Sequence, residues 1–243
     1  IGANLATTIA AAHMNIPVAH IQGGEVTGTI DESIRHAMSK FSHIHFPATE
    51  GAKNRLVRLG ENPEYIYNVG CPSIDTMLQT PELDIKIIEK KFNVDFSQPV
   101  ILIIQHPVTT ESGDSKRQMS NLISAVKDLG VQALIALPNN DAGSSEIIDE
   151  IKGSGLTWYP SLSTDEFVNI YRHISAIVGN SSSGIHESST FGIPAVNIGT
   201  RQQDRERANN VIDVDYSYKE IKEGIKKALY DKEYKKRIKG IPN

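Results

Sequence analysis

Three stretches of the 243-residue chain put small and polar residues where an apolar, β-rich run ends, and each is a candidate for binding an anion. GNSSSGIHESSTFG (179–192) follows the apolar run 174–178 and leads into a segment of helical character. The first amides of a helix have no partners within it, and small side chains let a phosphate reach them with the helix dipole behind. Ser181, Ser182 and Gly184 would cradle a diphosphate there, and Glu187, one turn on, would accept from a ribose diol. The competing reading is a serine-rich turn that only caps a helix, since the stretch is neither a Walker loop nor a G-x-G-x-x-G turn. In IIQHPVTTE (103–111), His106 stands at a strand end before a proline that forbids a continuing helix. It is either a packed loop residue or a phosphate donor that, when protonated, would stabilise a departing diphosphate. LPNNDAGS (137–144) adds Asn139, able to donate to an anion and to accept from a sugar hydroxyl. Three polar strand ends in one domain favour a nucleotide.

A second kind of chemistry belongs to HIQGGEVTGTIDESIRH (20–36). Gly23, Gly24 and Gly28 permit positive φ and close approach, the acids Glu25 and Asp31 lie in or beside that loop, and Arg35 and His36 follow one turn into the next helix. Carboxylates around a glycine-rich strand end suit proton transfer at a sugar carbon. The competing reading makes Asp31 an N-cap and Glu25 a solvated loop acid. No cluster of acids and histidines has convincing ligand spacing, so no metal is expected.

Apolar runs alternate with helical periodicity from end to end, which predicts an α/β fold of parallel sheets covered by helices. Helices are expected at 4–14, 31–42 and 50–59, and strands at 17–21, 43–46 and 65–69, with a short helix after Pro72. QTPELD (79–84) is the best boundary. We therefore expect residues 1–80 to form part of one domain and 81–215 a second, nucleotide-binding domain. The second should hold strands at 100–104, 133–137, 157–159, 176–178 and 195–198, with helices at 116–129, 145–151, 165–173 and 184–190. Residues 216–243 should add C-terminal helices near the domain junction. Within them, 219–239 carry nine Lys/Arg against four Asp/Glu, with Ile221, Ile225, Leu229 and Tyr230 spaced to face a core.

A net charge of −4 argues against a general nucleic-acid binder. The single cysteine, Cys71, excludes an intrachain disulfide and a thiolate zinc cluster. No apolar run approaches the roughly 20 residues that span a bilayer. No membrane association is expected, and a cytoplasmic protein fits.

The stretches HIQGGEVTGTIDESIRHAMSKFSHIH, VGCPSIDTM, QHPVTTE, LPNNDAGS and GNSSSGIHESSTFGIPAVNIGTRQQDRERANNV occur in order over most of the chain. Together they resemble the hydrolysing UDP-N-acetylglucosamine 2-epimerases of sialic acid and related nonulosonate biosynthesis. The resemblance implies two Rossmann-like domains of the glycosyltransferase-B (GT-B) type, the first incomplete, with the nucleotide sugar in the cleft between them and no cofactor. It implies that His106, Asn139, Ser181, Ser182, Glu187 and Arg201 hold the phosphates and ribose of UDP, and that backbone near Leu162 meets uracil. The implied reaction removes the sugar C2 proton, expels UDP to give a 2-acetamidoglucal, and adds water to give N-acetylmannosamine or a related 2-epimer. Asp31 matches a family catalytic aspartate. A family glutamate falls at Gln22, whose amide is no base, and Glu25 is the nearby carboxylate to replace it. Gln22, Arg35 and His36 would lie by the sugar. A further family aspartate would lie just before Ile1, within a preceding segment of about 100 residues, without which the chain would be impaired. The family also implies a homo-oligomer, dimer or tetramer.

Four alternatives share parts of this pattern: a 2,4-diacetamido sugar as substrate, a non-hydrolysing 2-epimerase, a GT-B glycosyltransferase that releases UDP only to an acceptor, and a nucleotide-sugar binding module without turnover.

Overall fold

The computed structural model describes residues 1–240 as two compact units. Unit 1 comprises Ile1–Asp75 with Gln203–Glu206, and unit 2 comprises Thr76–Gln202 and the chain after Glu206.

In unit 1, helix α1 (Gly2–His13) leads to strand β1 (Ala19–Ile21), helix α2 (Ile30–Phe41) to strand β2 (Ile44–Phe46), and helix α3 (Glu50–Arg58) follows. β1 and β2 pair in parallel, with His20 opposite His45. Threonines begin two of the helices: Thr29 accepts from the Asp31 amide and Thr49 from the Ala52 amide, which satisfies first-turn donors that the helix itself leaves open. The strand expected at 65–69 does not form. Pro63–Tyr65 makes a 3-10 turn, Ile66 bridges to His45, and the Tyr67 and Val69 N–H groups donate to the His45 and Pro47 carbonyls at 2.9 and 3.2 Å, while Tyr65, Tyr67 and Val69 are exposed. Their alternation gave the sequence its strand-like look, but the 3-10 turn takes up the start of the segment and leaves a single bridge to β2.

Helix α4 (Pro72–Gln79) precedes α5 (Ile85–Phe92), and unit 2 continues through β3 (Val100–Ile104), α6 (Ser115–Leu129), β4 (Gln132–Ala136), α7 (Ser144–Gly153), β5 (Thr157–Tyr159), α8 (Thr164–His173), β6 (Ala176–Gly179), α9 (Ser183–His186), β7 (Ala195–Ile198), β8 (Val211–Val214), α10 (Tyr218–Tyr230) and α11 (Lys232–Ile238). The strand order is β5-β4-β3-β6-β7-β8, all parallel. β3 is buried throughout, as its unbroken apolar run VILII requires of a parallel strand covered on both faces. Its alternate residues split between two cores. Ile101 and Ile103 meet Met119, Ile147 and Ile225 of α6, α7 and α10, and Val100, Leu102 and Ile104 meet Phe92 and Tyr171 of α5 and α8. Helix α10 packs on α6 and on β6, β7 and β8. β8 is a sixth strand where five were expected. It is a short edge strand, and an aspartate breaks its apolar pattern at the exposed position 213. The helix expected at 184–190 stops at His186, because the Ser188 hydroxyl turns back to the Gly184 carbonyl at 2.7 Å and competes with the next helical turn. Among the described residues, no helix is long and apolar enough to cross a membrane.

Candidate functional site

The chain leaves β3 outward through β4 and β5 and returns to β6 on the other side of β3. In an open parallel sheet, this reversal opens a crevice at the carboxyl ends of the two central strands, where ligands bind. The sequence places His106 after β3 and Asn180 after β6 at that point, and the structure joins them. Wholly buried Asn180 accepts the His106 N–H on Oδ1 at 2.7 Å and donates from Nδ2 to the His106 carbonyl at 2.8 Å. Its own carbonyl accepts from Arg201 Nη1 at 3.0 Å and Gln202 Nε2 at 2.8 Å. One asparagine thus ties together the loops after β3, β6 and β7. Gly179 brings it close: φ is +126° and a Cβ there would stand 2.2 Å from the Ile104 carbonyl oxygen. Gly179→Ala is therefore expected to lose roughly 3 kcal/mol or more of stability by urea unfolding, and a loss under 1 kcal/mol would contradict this packing.

His106 has a defined role to offer. Its Nδ1 accepts the Asn139 backbone N–H at 3.1 Å, so the neutral ring carries its proton on Nε2 as a free-standing donor direction. Burial, helped by the Arg201 guanidinium, pulls its pKa from 6.5 to about 4. Before a ligand arrives the ring is therefore neutral, and it can donate a hydrogen bond to an anion but not a full charge. The Asn139 side-chain amide donates to Asp141, so this residue contributes to His106 through its backbone. Ser181 and Ser183 hydroxyls pair at 2.9 Å. The Gly184 N–H goes to Ser181 O at 3.1 Å, and those of Ile185 and His186 go to Ser182 O at 2.9 Å. A phosphate at this turn would therefore draw on the Ser181 and Ser182 end and not on buried Gly184, which packs toward Ala195 and Ile177. Glu187 is buried just after α9, and Leu162 lies partly buried against the core in the loop before α8.

Unit 1 presents the other candidates. After β1, Gln22 takes φ +58° and Gly24 +81°, and a Cβ at Gly24 would lie 2.4 Å from the Ala52 carbonyl oxygen, so the loop sits directly on α3. Arg55 Nη1 donates to the Gly24 carbonyl at 2.5 Å and Arg35 Nη1 to the Glu25 carbonyl at 3.0 Å. The Glu25 carboxylate is not solvated: it pairs with Arg205 at 2.6 Å, the two side chains being 8% and 9% exposed. Removing one partner of such a buried pair costs about 3–5 kcal/mol because the other charge is stranded. Asp31 does not cap its helix either. Thr29 does, which leaves the Asp31 carboxylate to other work in the first turn of α2. Arg35 is half-buried among charges of both signs, with burial and Arg205 lowering its pKa while Glu25, Asp31 and Glu32 act against them. His36 lies 3.9 Å from Glu32 and is held below its usual range chiefly by burial. Gln22 Nε2 donates to Cys71 Sγ at 3.0 Å.

Burial, then His45, Arg35 and His36, also pulls His20 to about 4. Both depressed histidines stay neutral in the folded protein where the unfolded chain takes up protons, so stability is full above pH 6.5 and falls as pH drops toward 4. Each should withdraw up to about 2 kcal/mol by pH 5. Urea midpoints at pH 7 and 5 would show this, and equal midpoints would refute it.

Sequence reasoning passed over Asn180, Gln202 and Arg205. All lie inside stretches it had singled out. The available signal for Asn180 was an amide directly after a glycine at a strand end, where a side chain can take the place of the next strand hydrogen bonds.

The UDP-N-acetylglucosamine 2-epimerase family model matches residues 3–242. The chain is 41% identical over 232 residues to a Legionella pneumophila protein named UDP-N,N'-diacetylbacillosamine 2-epimerase (hydrolyzing), covering 94% of this chain and 62% of that one. It is 35% identical over 214 residues to the UDP-N-acetylglucosamine 2-epimerase of Neisseria meningitidis serogroup B, covering 87% and 56%. The chain thus spans about 60% of the length of these relatives. A crystal structure of UDP-GlcNAc 2-epimerase from Neisseria meningitidis bound to UDP-GlcNAc superposes with a TM-score of 0.79 at 22% identity, covering 98% of this chain and 68% of that one. A Staphylococcus aureus MnaA–UDP co-structure gives 0.77 at 17%, covering 98% and 66%. These likenesses give the fold, Rossmann-like units of the GT-B type, and the match along nearly the whole sequence gives the kinship: the chain belongs to the UDP-N-acetylglucosamine 2-epimerase family.

Proposed function

We propose that the protein is a hydrolysing 2-epimerase acting on a UDP-linked 2-acetamido sugar. The observation that carries the nucleotide half is the polar switch point of unit 2, where His106, Asn180 and Arg201 converge after β3, β6 and β7. The hydrolysing mode is supported by the name of the 41% identical Legionella relative.

In this mechanism the diphosphate takes hydrogen bonds from His106 Nε2, Arg201 and the Ser181–Ser182 amides, while Glu187 and Asn139 serve the ribose and the Leu162 backbone the uracil. An arriving diphosphate opposes the effects of burial and Arg201 on His106 and raises its pKa, so the hydrogen bond strengthens as charge develops on the leaving group. Asp31 takes the C2 proton. The C2–H electron pair becomes the C1–C2 double bond, and the C1–O bond breaks with its electrons leaving on UDP. Water then adds across the double bond, its oxygen to C1 and a proton to C2 from the opposite face, giving the free 2-epimer. Gln22, Arg35 and His36 attend the sugar. Glu25, engaged by Arg205, is a positioning residue in this scheme and not the base that replaces an acid at position 22. We carry a cytoplasmic location and a homo-oligomer, testable by light scattering, as part of the same proposal.

One observation favours a finer reading of the substrate. The Legionella relative and a 34% identical Campylobacter jejuni protein are both named for N,N'-diacetylbacillosamine, which points to a 2,4-diacetamido sugar. An assay of UDP release by the complete gene product, without acceptor, tests both levels. Release from the diacetamido substrate faster than from UDP-N-acetylglucosamine supports the finer reading. Release only when an acceptor sugar is added would mark a glycosyltransferase, and UDP binding without release a binding module.

A further inference from the structure

Glu111 lies outside every role assigned so far. It sits in the 3-10 turn Thr109–Asp114 that follows the His106 loop, close to an anion site where an acid would weaken binding unless donors occupied it. Both of its oxygens are occupied. Oε1 accepts from the Thr200 hydroxyl at 2.5 Å and Oε2 from Gln118 Nε2 at 2.9 Å, Gln118 being 3% exposed. Thr200 immediately precedes Arg201. Its N–H donates to the Tyr216 hydroxyl at 3.4 Å, and at Gly199 a Cβ would stand 2.0 Å from the Tyr216 ring, so the turn closes hard against that ring. Burial first, and Glu111 second, push the Tyr216 phenol up to about 12, which keeps it a protonated partner for the carboxylate. The turn after β7 is therefore held at Thr200 by Glu111 and Tyr216, and at Arg201 and Gln202 by the Asn180 carbonyl.

We infer that Glu111 is a positioning residue of the anion site: through the Thr200 hydroxyl it fixes the Gly199–Gln202 turn so that the Arg201 guanidinium is set to receive a nucleoside diphosphate. This rests on the reading of unit 2 as a UDP site. A merely structural acid would add its effect to that of any other change, whereas a residue acting through Arg201 has nothing left to do once Arg201 is gone.

The experiment is calorimetric titration of UDP into the complete gene product and its Glu111→Ala, Arg201→Ala, double and Thr200→Val variants. Glu111→Ala should weaken UDP about tenfold, and the double variant should bind no more weakly than Arg201→Ala alone. Thr200→Val removes only one hydroxyl, so it should fold even if Glu111→Ala does not, and it should weaken UDP severalfold. Losses that multiply in the double variant, or a Thr200→Val protein that binds UDP as the parent does, would overturn the inference. A parent protein that fails to bind UDP at all would remove the UDP reading itself, and this inference with it, which is a result distinct from the other two.

Discussion

Asp31→Asn is expected to lower kcat for UDP release by about a thousandfold while leaving UDP affinity within twofold. The amide keeps the size and shape of the carboxylate but cannot take a proton from C2. The fold should hardly register the change. Thr29, not Asp31, caps α2, and the loss of one first-turn acid costs a helix only about 0.3–1 kcal/mol. UDP affinity is the control that separates chemistry from binding, because the residues proposed to hold UDP all belong to unit 2. Steady-state release assays with calorimetry on the same samples check the pair of expectations. A variant with kcat within tenfold of the parent would move the base elsewhere, first to Glu25 in spite of its pairing with Arg205.

His106→Ala should cost about a hundred- to a thousandfold in kcat, the size of losing one well-placed donor to a developing anion. Deleting the imidazole also frees the Asn139 backbone N–H that it accepts, so some of the loss will appear in UDP affinity. His106→Gln, which can present an amide hydrogen in place of Nε2–H, should recover part of the rate. Since the ring titrates at about 4, kcat/KM should show no step from His106 near pH 6.5. A step there that vanishes in His106→Gln would mean that the free enzyme carries the imidazolium after all. Near-normal turnover in His106→Ala would show that the leaving group departs elsewhere.

The large unit was legible from the sequence because its signals are the strong ones: β3 is a five-residue apolar run, and α6 and α10 repeat apolar residues at helical spacing. The edge strand β8 was not legible, since an edge needs only half an apolar pattern and an aspartate at 213 obscures even that. The strand expected at 65–69 went the other way: Tyr65, Tyr67 and Val69 alternate convincingly, yet Pro63 opens a 3-10 turn through Tyr65, and the segment beyond it keeps a single bridge to β2. Within the candidate sites, residue types singled out the loops but not what each side chain touches there. In GNSSSG the serines stood out and the neighbouring Asn180 did not, because a side chain that replaces backbone pairing leaves no compositional mark. The charge state of His106 depended on burial and on Arg201, and the partner of Glu25 lies 180 residues along the chain. Neither can be read from spacing.

The C2 proton should be lost to solvent exchange as UDP departs, which proton NMR of the complete gene product with UDP-N-acetylglucosamine, or the UDP-linked 2,4-diacetamido sugar, in deuterated water would reveal. Free UDP is expected together with the free 2-epimer carrying deuterium at C2. Free UDP with a sugar that keeps its original C2 hydrogen and configuration, or an epimer still attached to UDP, would contradict it.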